Sequence, residues 1–360
     1  MSASPLIERL INEAETPVQG IMKKVMVALA PATAFGLFLF GWPALYLFVV
    51  TLASALLFEA LSLSLAGKPV RMTIGDGSAL LTGWLLALSL PPWAPWWIGF
   101  IGSGFAIVVG KHVYGGLGQN LFNPAMLARV ALLISFPLEM TTWPRPLPVF
   151  FPSAPGLFDA WRLTFGGVLP ADGTTGATII GFVKTEFTRG QTLSSSLGLA
   201  EFDFFKSFVG WSSGSLGESS GLLLLVGGLS LIRKKIITWH IPFSILGTVV
   251  VLSLIMSVID SEHYPGPIFH LSSGALVLCA FFIATDYVTC PSYPKGQLIY
   301  GIGVGTLVYV IRTWGAYPEG VGFAILLMNG STPLIDHYIR PRIYGRDRKG
   351  KPLTLREEKP

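Results

Sequence analysis

Apolar runs about as long as a bilayer is thick govern what this chain can become. A hydrocarbon core about 30 Å thick takes roughly 20 residues of helix. Measured against that length, the sequence yields ten candidate spans: Val25–Gly41, Pro43–Leu65, Gly77–Leu90, Pro95–Gly110, Leu121–Phe136, Gly221–Ile232, Trp239–Val258, Ile268–Ala284, Gln297–Ile311 and Gly320–Ile339. The third and sixth are short, and several contain Gly or Pro, which membrane helices tolerate where neighbours or a cavity satisfy the freed backbone groups. Composition agrees, with 51% of residues hydrophobic and 12% charged, against about 25% charged in soluble domains. The reading is an all-α polytopic membrane protein and not a soluble globular enzyme.

Orientation follows from Lys and Arg in the short connections. Alternate connections carry Lys23 and Lys24, Lys68 and Arg71, Lys111, Arg233 to Lys235, Lys295, and the tail from Arg340 to Lys359. The opposite ones carry no charge at Trp42 or Pro91–Trp93, and acid at Asp260 and Glu262. Both termini are therefore expected in the cytoplasm of a bacterial cell, with the protein in the inner membrane. Trp42, Trp93, Trp96, Trp97 and Trp314 fall at outer span ends, as an aromatic belt would. The expected organisation is a cytoplasmic N-terminus (1–24), five helices (25–136), a periplasmic loop (137–220), five more helices (221–339) and a basic cytoplasmic tail (340–360). The N-terminus is polar and of mixed charge, without a cleavable signal pattern, so the first apolar helix is expected to target and anchor the chain. The tail is a solvated, positive-inside segment that could also meet anionic membrane lipid or a soluble partner.

An internal repeat runs through this layout. Ile101-Gly-Ser-Gly-Phe-Ala-Ile-Val-Val-Gly-Lys111 echoes Ile302-Gly-Val-Gly-Thr-Leu-Val-Tyr-Val-Ile-Arg312, and the stretch from Ser78 pairs loosely with the stretch from Ser273. With five spans per half the second copy enters the membrane from the other side, which accounts for Arg312 as the one cation at an outer span end. Inverted repeats build sites at the midplane between halves, and this alone suits a solute channel or transporter as well as any other membrane function.

Several chemistries are excluded or disfavoured. Two cysteines, Cys279 and Cys290, cannot supply a disulfide framework or the thiolates of an iron–sulfur cluster. The five histidines are scattered without metal spacing, and no metal site is expected. His270, inside a span, reads as a hydrogen-bonded helix contact. No G-x-G-x-x-G opens a helix after a strand, so nothing here reads as a dinucleotide site. The net charge of +5 sits in short clusters between apolar runs, which does not suit nucleic acid.

The sharpest motif lies in the long connection: Asp172-Gly-Thr-Thr-Gly-Ala-Thr178. As an isolated loop it is a Gly/Thr turn. It also resembles the flavinylation motif of the membrane subunits of Rnf and Na+-translocating NADH:quinone reductase complexes, the NqrB/RnfD family. Further segments are similar to the RnfD branch in order along the chain: Asp76-Gly-Ser-Ala-Leu-Leu-Thr-Gly, Gly115-Gly-Leu-Gly-Gln-Asn-Leu-Phe-Asn-Pro-Ala125, Phe282-Ile-Ala-Thr-Asp286, Pro318 to Asn329, Pro333-Leu-Ile-Asp336, and Arg340-Pro-Arg-Ile-Tyr-Gly345.

The resemblance implies covalent FMN, its phosphate esterified to Thr178, with Asp172, Gly176 and Ala177 framing the acceptor. A hydroxyl on an accessible loop beside small residues lets a flavin transferase approach. Ile179 stands where family members often have Pro. It further implies a one-electron relay that is not catalytically complete alone. Such a subunit works with flavin, iron–sulfur and NADH-binding partners of a complex moving electrons between NADH and ferredoxin or flavodoxin, coupled to Na+ or H+ translocation. Riboflavin is a candidate second flavin.

Ionisable and amide groups at membrane depth are functional candidates by default. Asn120 and Asn123 either satisfy backbone in a tight turn or line a second flavin or ion site. Glu59 and Arg129 are deep enough for an ion pair or a coupling role. Asp286 and Asp336 lie near the inner surface, where capping is the simpler reading.

Overall fold

The computed structural model describes residues 17–167, 175–199 and 203–339. The first helix, α1 (Pro17–Leu65), runs through the first two apolar segments and breaks at Gly41, where φ is 74° and ψ is −158°. Only glycine enters that region without strain. Helical bonding lapses there, and outside donors take two of the freed carbonyls. Trp93 Nε1 donates to Phe40 O at 2.9 Å, and Val149 N donates to Phe38 O at 3.1 Å.

The rest of the first half comprises α2 (Val70–Ile74), α3 (Ser78–Ser89), α4 (Trp96–Gly104) and α5 (Pro124–Ser135). Beyond Gly104 the fourth helix widens into a π-helical stretch, Phe105–His112. The long connection holds α6 (Pro137–Thr141), β1 (Trp143–Pro144), α7 (Leu157–Phe165), β2 (Thr175–Gly176), α8 (Ile179–Thr188), α9 (Leu193–Leu199) and α10 (Phe204–Val209). The second half follows as α11 (Gly221–Arg233), α12 (His240–Ile259), α13 (Pro267–Ser272), α14 (Leu276–Leu278), α15 (Pro294–Trp314) and α16 (Val321–Tyr338). A π-helical stretch, Cys279–Ile283, continues α14.

Helix falls in each of the ten apolar segments, but the eighth is not one helix. Gly274, at φ 72°, separates α13 from α14. Among the described residues, two helices are long and apolar enough to cross a membrane by length and composition, Val18–Leu65 and His240–Ile259. The N-terminal 16 residues and the basic tail lie outside the described residues.

Solvent preference is arranged as for a chain bathed in hydrocarbon. Val27, Val49, Leu57, Val226, Val251, Leu254 and Ile255 are exposed, while Thr51, Glu59, Ser103, Lys111 and Arg312 are buried. Exposed apolar surface on this scale is foreign to soluble monomers. Small residues bring helices together: a Cβ on Gly99 of α4 would strike Thr51 of α1, and a Cβ on Gly301 of α15 would strike Ser244 of α12. Close backbone approach of this kind is how helices associate without a hydrophobic drive between them.

Contacts of α8 and α9 help to seat the long connection on the second half. Ile180 and Val183 of α8 pack with Phe269 of α13. Ahead of α9, Leu193 N donates to Glu262 O at 2.8 Å.

Candidate flavin-attachment site and the buried charges behind it

Thr178 is placed by structure on both sides. Upstream, Thr175 and Gly176 pair antiparallel with Pro144 and Trp143. Downstream, Thr178 is the N-cap of α8, its φ of −62° and ψ of 157° extended and its Oγ1 accepting from Gly181 N at 3.2 Å. Threonine at that position satisfies one of the free N–H groups that open a helix. Gly181 keeps the surroundings open, since a Cβ there would sit 3.3 Å from Thr178 Oγ1.

Thr178 differs from the expected accessible loop hydroxyl, being 4% exposed. Capping turns its side chain inward against α8 instead of into solvent. It nonetheless lines a cleft of about 400 Å³ together with Trp143, Ala177, Gly181, Lys184 and Pro318. Ala177 is exposed at its edge. Asp172, the first residue of the expected frame, lies outside the described residues.

Lys184, one and a half turns along α8, points back into this region. Its Nζ donates to Ile311 O at 3.2 Å, Arg312 O at 3.1 Å and Tyr317 O at 3.3 Å. It thereby bonds two carbonyls in the last turn of α15 and one just beyond it, Ile311 O also accepting from Gly315 N at 2.9 Å. Burial pushes the Lys184 amine below its usual range.

A second, much smaller cavity of about 10 Å³ lies on the other side of Thr178, bounded by Ser212, Ser213, Glu218, Ser273 and Gly274. It leads to a group of buried charges. Arg312 donates to His270 O at 3.0 Å, Ser273 O at 3.1 Å and Glu319 Oε1 at 2.8 Å. Gly274 is required there, because a Cβ would collide with the Glu319 carboxylate. Glu218 ends a short 3-10 turn, Leu216–Glu218, and accepts from Ser215 Oγ at 2.7 Å. Burial, followed by the Glu319 charge, pushes its carboxyl up to about 7, against the pull of the Ser215 hydrogen bond, Arg129 and Arg312. Arg129 of α5 is buried, with Glu218 and Glu319 as the carboxylates that act on it.

Arg129 therefore does not meet Glu59, and the ion pair between them is corrected. Glu59 lies 2.7 Å from Lys111 Nζ and 3.0 Å from His112 Nε2, at the end of the π-helical stretch. Lys111 also donates to Ser78 Oγ at 2.8 Å. The backbone reading of the two amides holds: Asn120 Nδ2 donates to Phe122 O at 3.1 Å, and Asn123 Oδ1 caps α5 by accepting from Met126 N at 3.2 Å. Both amides also line a cavity of about 90 Å³ with Lys111 and Asp286. Asp286 caps the turn after it, accepting from Val288 N at 3.4 Å and Thr289 Oγ1 at 3.2 Å. His270 is not the hydrogen-bonded contact expected, since neither ring nitrogen has a partner among the described residues.

Sequence reasoning passed over Glu218, Glu319 and Lys184. A signal existed for the first two: Glu218 is a lone acid in a Ser/Gly run abutting an apolar helix, and Glu319 follows the exceptional Arg312 across a short turn. Lys184 gave none, because its partners are main-chain carbonyls far along the chain.

Residues 7–345 match the NQR2, RnfD, RnfE family. The chain is 56% identical over 337 residues to the D subunit of the ion-translocating oxidoreductase complex of Stutzerimonas stutzeri, covering 94% of this chain and 95% of that one. It is 49% identical to the corresponding protein of Halorhodospira halophila, over 94% of this chain and 95% of the relative. With the corresponding protein of Rhodobacter capsulatus the identity is 48%, over 82% of this chain and 81% of the relative. At such identity, over nearly the whole length of both partners, the chain belongs to the NQR2, RnfD, RnfE family.

Proposed function

We propose that this chain is a membrane electron-relay subunit of an ion-translocating oxidoreductase complex, carrying FMN esterified through its phosphate to Thr178. The observation that carries the reading is the position of Thr178 at the N-cap of α8, on a cleft with Ala177, Gly181 and Lys184. An ester at this hydroxyl sets a phosphate at a helix N-terminus, where free N–H groups and the helix dipole favour negative charge. Trp143 offers an aromatic face in the same cleft. Bound flavin would supply one-electron steps in both directions; the chain's own residues bind it, orient it and hold charge around it.

The relatives' shared name, which describes one subunit of an ion-translocating oxidoreductase complex, favours this relay over a solute channel or transporter. Its partners are the flavin, iron–sulfur and NADH-binding subunits of such a complex, with electrons passing between NADH and ferredoxin or flavodoxin and driving Na+ or H+ movement. A flavin transferase matures it. The cavity beside Asn120 and Asn123 is where riboflavin or an ion would meet this chain; Glu59 touches that cavity only through Lys111.

The membrane arrangement proposed is ten spans in two inverted halves, in the bacterial inner membrane, with both termini cytoplasmic and 137–220 periplasmic. The outward apolar residues support it, as does the close packing, through a glycine in each case, of α4 on α1 and of α15 on α12.

In-gel flavin fluorescence after denaturing electrophoresis tests the attachment, in cells containing the transferase. Wild type should fluoresce, Thr178→Val should be dark while still inserting, and Thr174→Val and Thr175→Val should fluoresce. A dark wild-type band, with the transferase active on another substrate, would sink the relay; loss only in Thr174→Val or Thr175→Val would move the site.

A further inference from the structure

Within the long connection, α7 and the residues ahead of it carry apolar side chains that the described residues leave uncovered. The sequence Leu157-Phe-Asp-Ala-Trp-Arg-Leu-Thr-Phe165 divides this helix into strips. Ala160 and Thr164, one turn apart, are buried against the protein, while Asp159 and Arg162 are exposed on another side. Between them lie Leu157, Phe158 and Trp161, all exposed, Phe158 by 82%. At 3.6 residues per turn these three fall within about a third of the circumference. Just ahead of the helix Phe151 is exposed and Phe150 is 87% exposed. A cluster of this kind marks an interaction surface.

The position of α7 indicates what covers it. Trp161 meets Tyr46 of α1 edge-on with ring centroids 5.8 Å apart, and Phe165 lies 6.1 Å from Tyr46. Phe165 also stacks on Trp96, the first residue of α4, at 6.3 Å, and Phe150 lies 6.4 Å from Phe38 of α1. Phe38, Tyr46 and Trp96 belong to the span ends that the charge pattern turns outward. From Tyr46 inward, Val49, Ala53, Leu57 and Leu61 continue one face of α1 at helical spacing, and all four are exposed. That stripe faces hydrocarbon in the spanning arrangement, and α7 sits on its outer end. The uncovered rings are therefore continuous with a lipid-facing surface, at the depth where aromatic side chains favour the boundary between headgroups and acyl chains.

We propose that α7, with Phe150 and Phe151, lies in the outer leaflet of the membrane, Leu157, Phe158 and Trp161 among phospholipid acyl chains and Asp159 and Arg162 in water. An amphipathic helix of this kind lies in the interface plane with its apolar face about 5–10 Å deep. The inserted face rests on the spanning arrangement proposed above. The stretch of chain that contains α7 is closed by the pairing of Trp143 and Pro144 with Gly176 and Thr175, so insertion of α7 ties the approach to Thr178 to the membrane surface.

The test is photolabelling of the intact complex containing this chain, in nanodiscs of phosphatidylethanolamine and phosphatidylglycerol. Two phospholipid probes are compared, one with a diazirine on the acyl chain next to the headgroup and one with it at mid-chain. Labelled peptides are mapped by mass spectrometry, with residues 49–61 as the internal standard. The shallow probe should label residues 150–161, and the mid-chain probe should label them several-fold less while still labelling 49–61. Labelling of 49–61 without labelling of 150–161 by either probe overturns the proposal, because α7 then lies in water or beneath another subunit. Equal labelling of 150–161 by the two probes overturns the interfacial depth. Absence of label from 49–61 as well would defeat the spanning arrangement itself, and the inserted helix with it.

Discussion

Lys111 Nζ lies 2.7 Å from Glu59 Oε1 with both side chains almost fully buried, and the same nitrogen donates to Ser78 Oγ at 2.8 Å. In the second half Arg312 lies 2.8 Å from Glu319 Oε1 and donates to Ser273 O at 3.1 Å. Lys111 and Arg312 are counterparts in the sequence repeat, as are Ser78 and Ser273. Each half thus neutralises its buried cation with a carboxylate and ties it to the same repeat position. The carboxylates themselves come from non-equivalent places, Glu59 before the cation and Glu319 after it.

The first prediction concerns that pair. Removing one partner of a buried ion pair leaves an uncompensated charge and costs about 3–5 kcal/mol. Lys111→Met should lower the thermal midpoint of the detergent-purified protein accordingly, and adding Glu59→Gln should restore most of the loss. A double variant no more stable than Lys111→Met would show that Glu59 is not what Lys111 neutralises.

Gly274 and Gly67 give a matched comparison. Both have positive φ, 72° and 66°, so Ala at either carries a backbone cost of about 1–2 kcal/mol. Space differs: a Cβ at Gly67 meets nothing within 4 Å, whereas at Gly274 it meets Glu319 and Arg312. Gly274→Ala should exceed Gly67→Ala by about 3 kcal/mol, the order of a broken buried pair. Equal losses in thermal unfolding would mean that the ion pair can move aside.

Thr178 has a structural role apart from any flavin. In protein made without the transferase, Thr178→Ala should remove the cap of α8 and cost about 1 kcal/mol, read as faster amide exchange in Ile179–Thr188. Thr178→Ser should exchange like wild type. Unchanged exchange in Thr178→Ala would mean that the strand pair and Phe269, and not the cap, hold the start of α8.

Glu218 predicts a pH dependence. Its folded carboxyl stands at about 7 against an ordinary value of 4.5, so between those values the folded state binds more protons than the unfolded one. Stability from this group is therefore greatest at low pH and is lost as pH rises from about 4.5 through about 7. Glu218→Gln should flatten that part of the pH profile of thermal unfolding. A wild-type profile that rises through the same window, or an identical slope in the variant, would contradict the assignment.

Much of this architecture could be read from local pattern. Apolar run length marked where helices fall, and Gly41 ahead of Pro43 marked the break in α1. These are properties of a few consecutive residues, so neighbours in sequence suffice to decide them. The Asp172–Thr178 motif likewise singled out Thr178 before any packing was known.

Pairing and exposure were decided elsewhere. Charge and depth made Glu59 and Arg129 natural partners, yet the π-helical end of α4 delivers Lys111 to Glu59, 52 residues away in sequence. Arg129 instead joins Glu218, Glu319 and Arg312, drawn from segments spread across the long connection and the second half. Thr178 was readable as an acceptor but not as a buried N-cap, and His270 was readable as buried but not as unpartnered. Sequence determined which segments are helical and which residue types they carry into an apolar environment, because those depend on periodicity and transfer free energy along one segment. Only the tertiary structure decided which polar groups meet, because hydrogen bonds and ion pairs act over a few ångströms between side chains that packing of distant helices alone brings together.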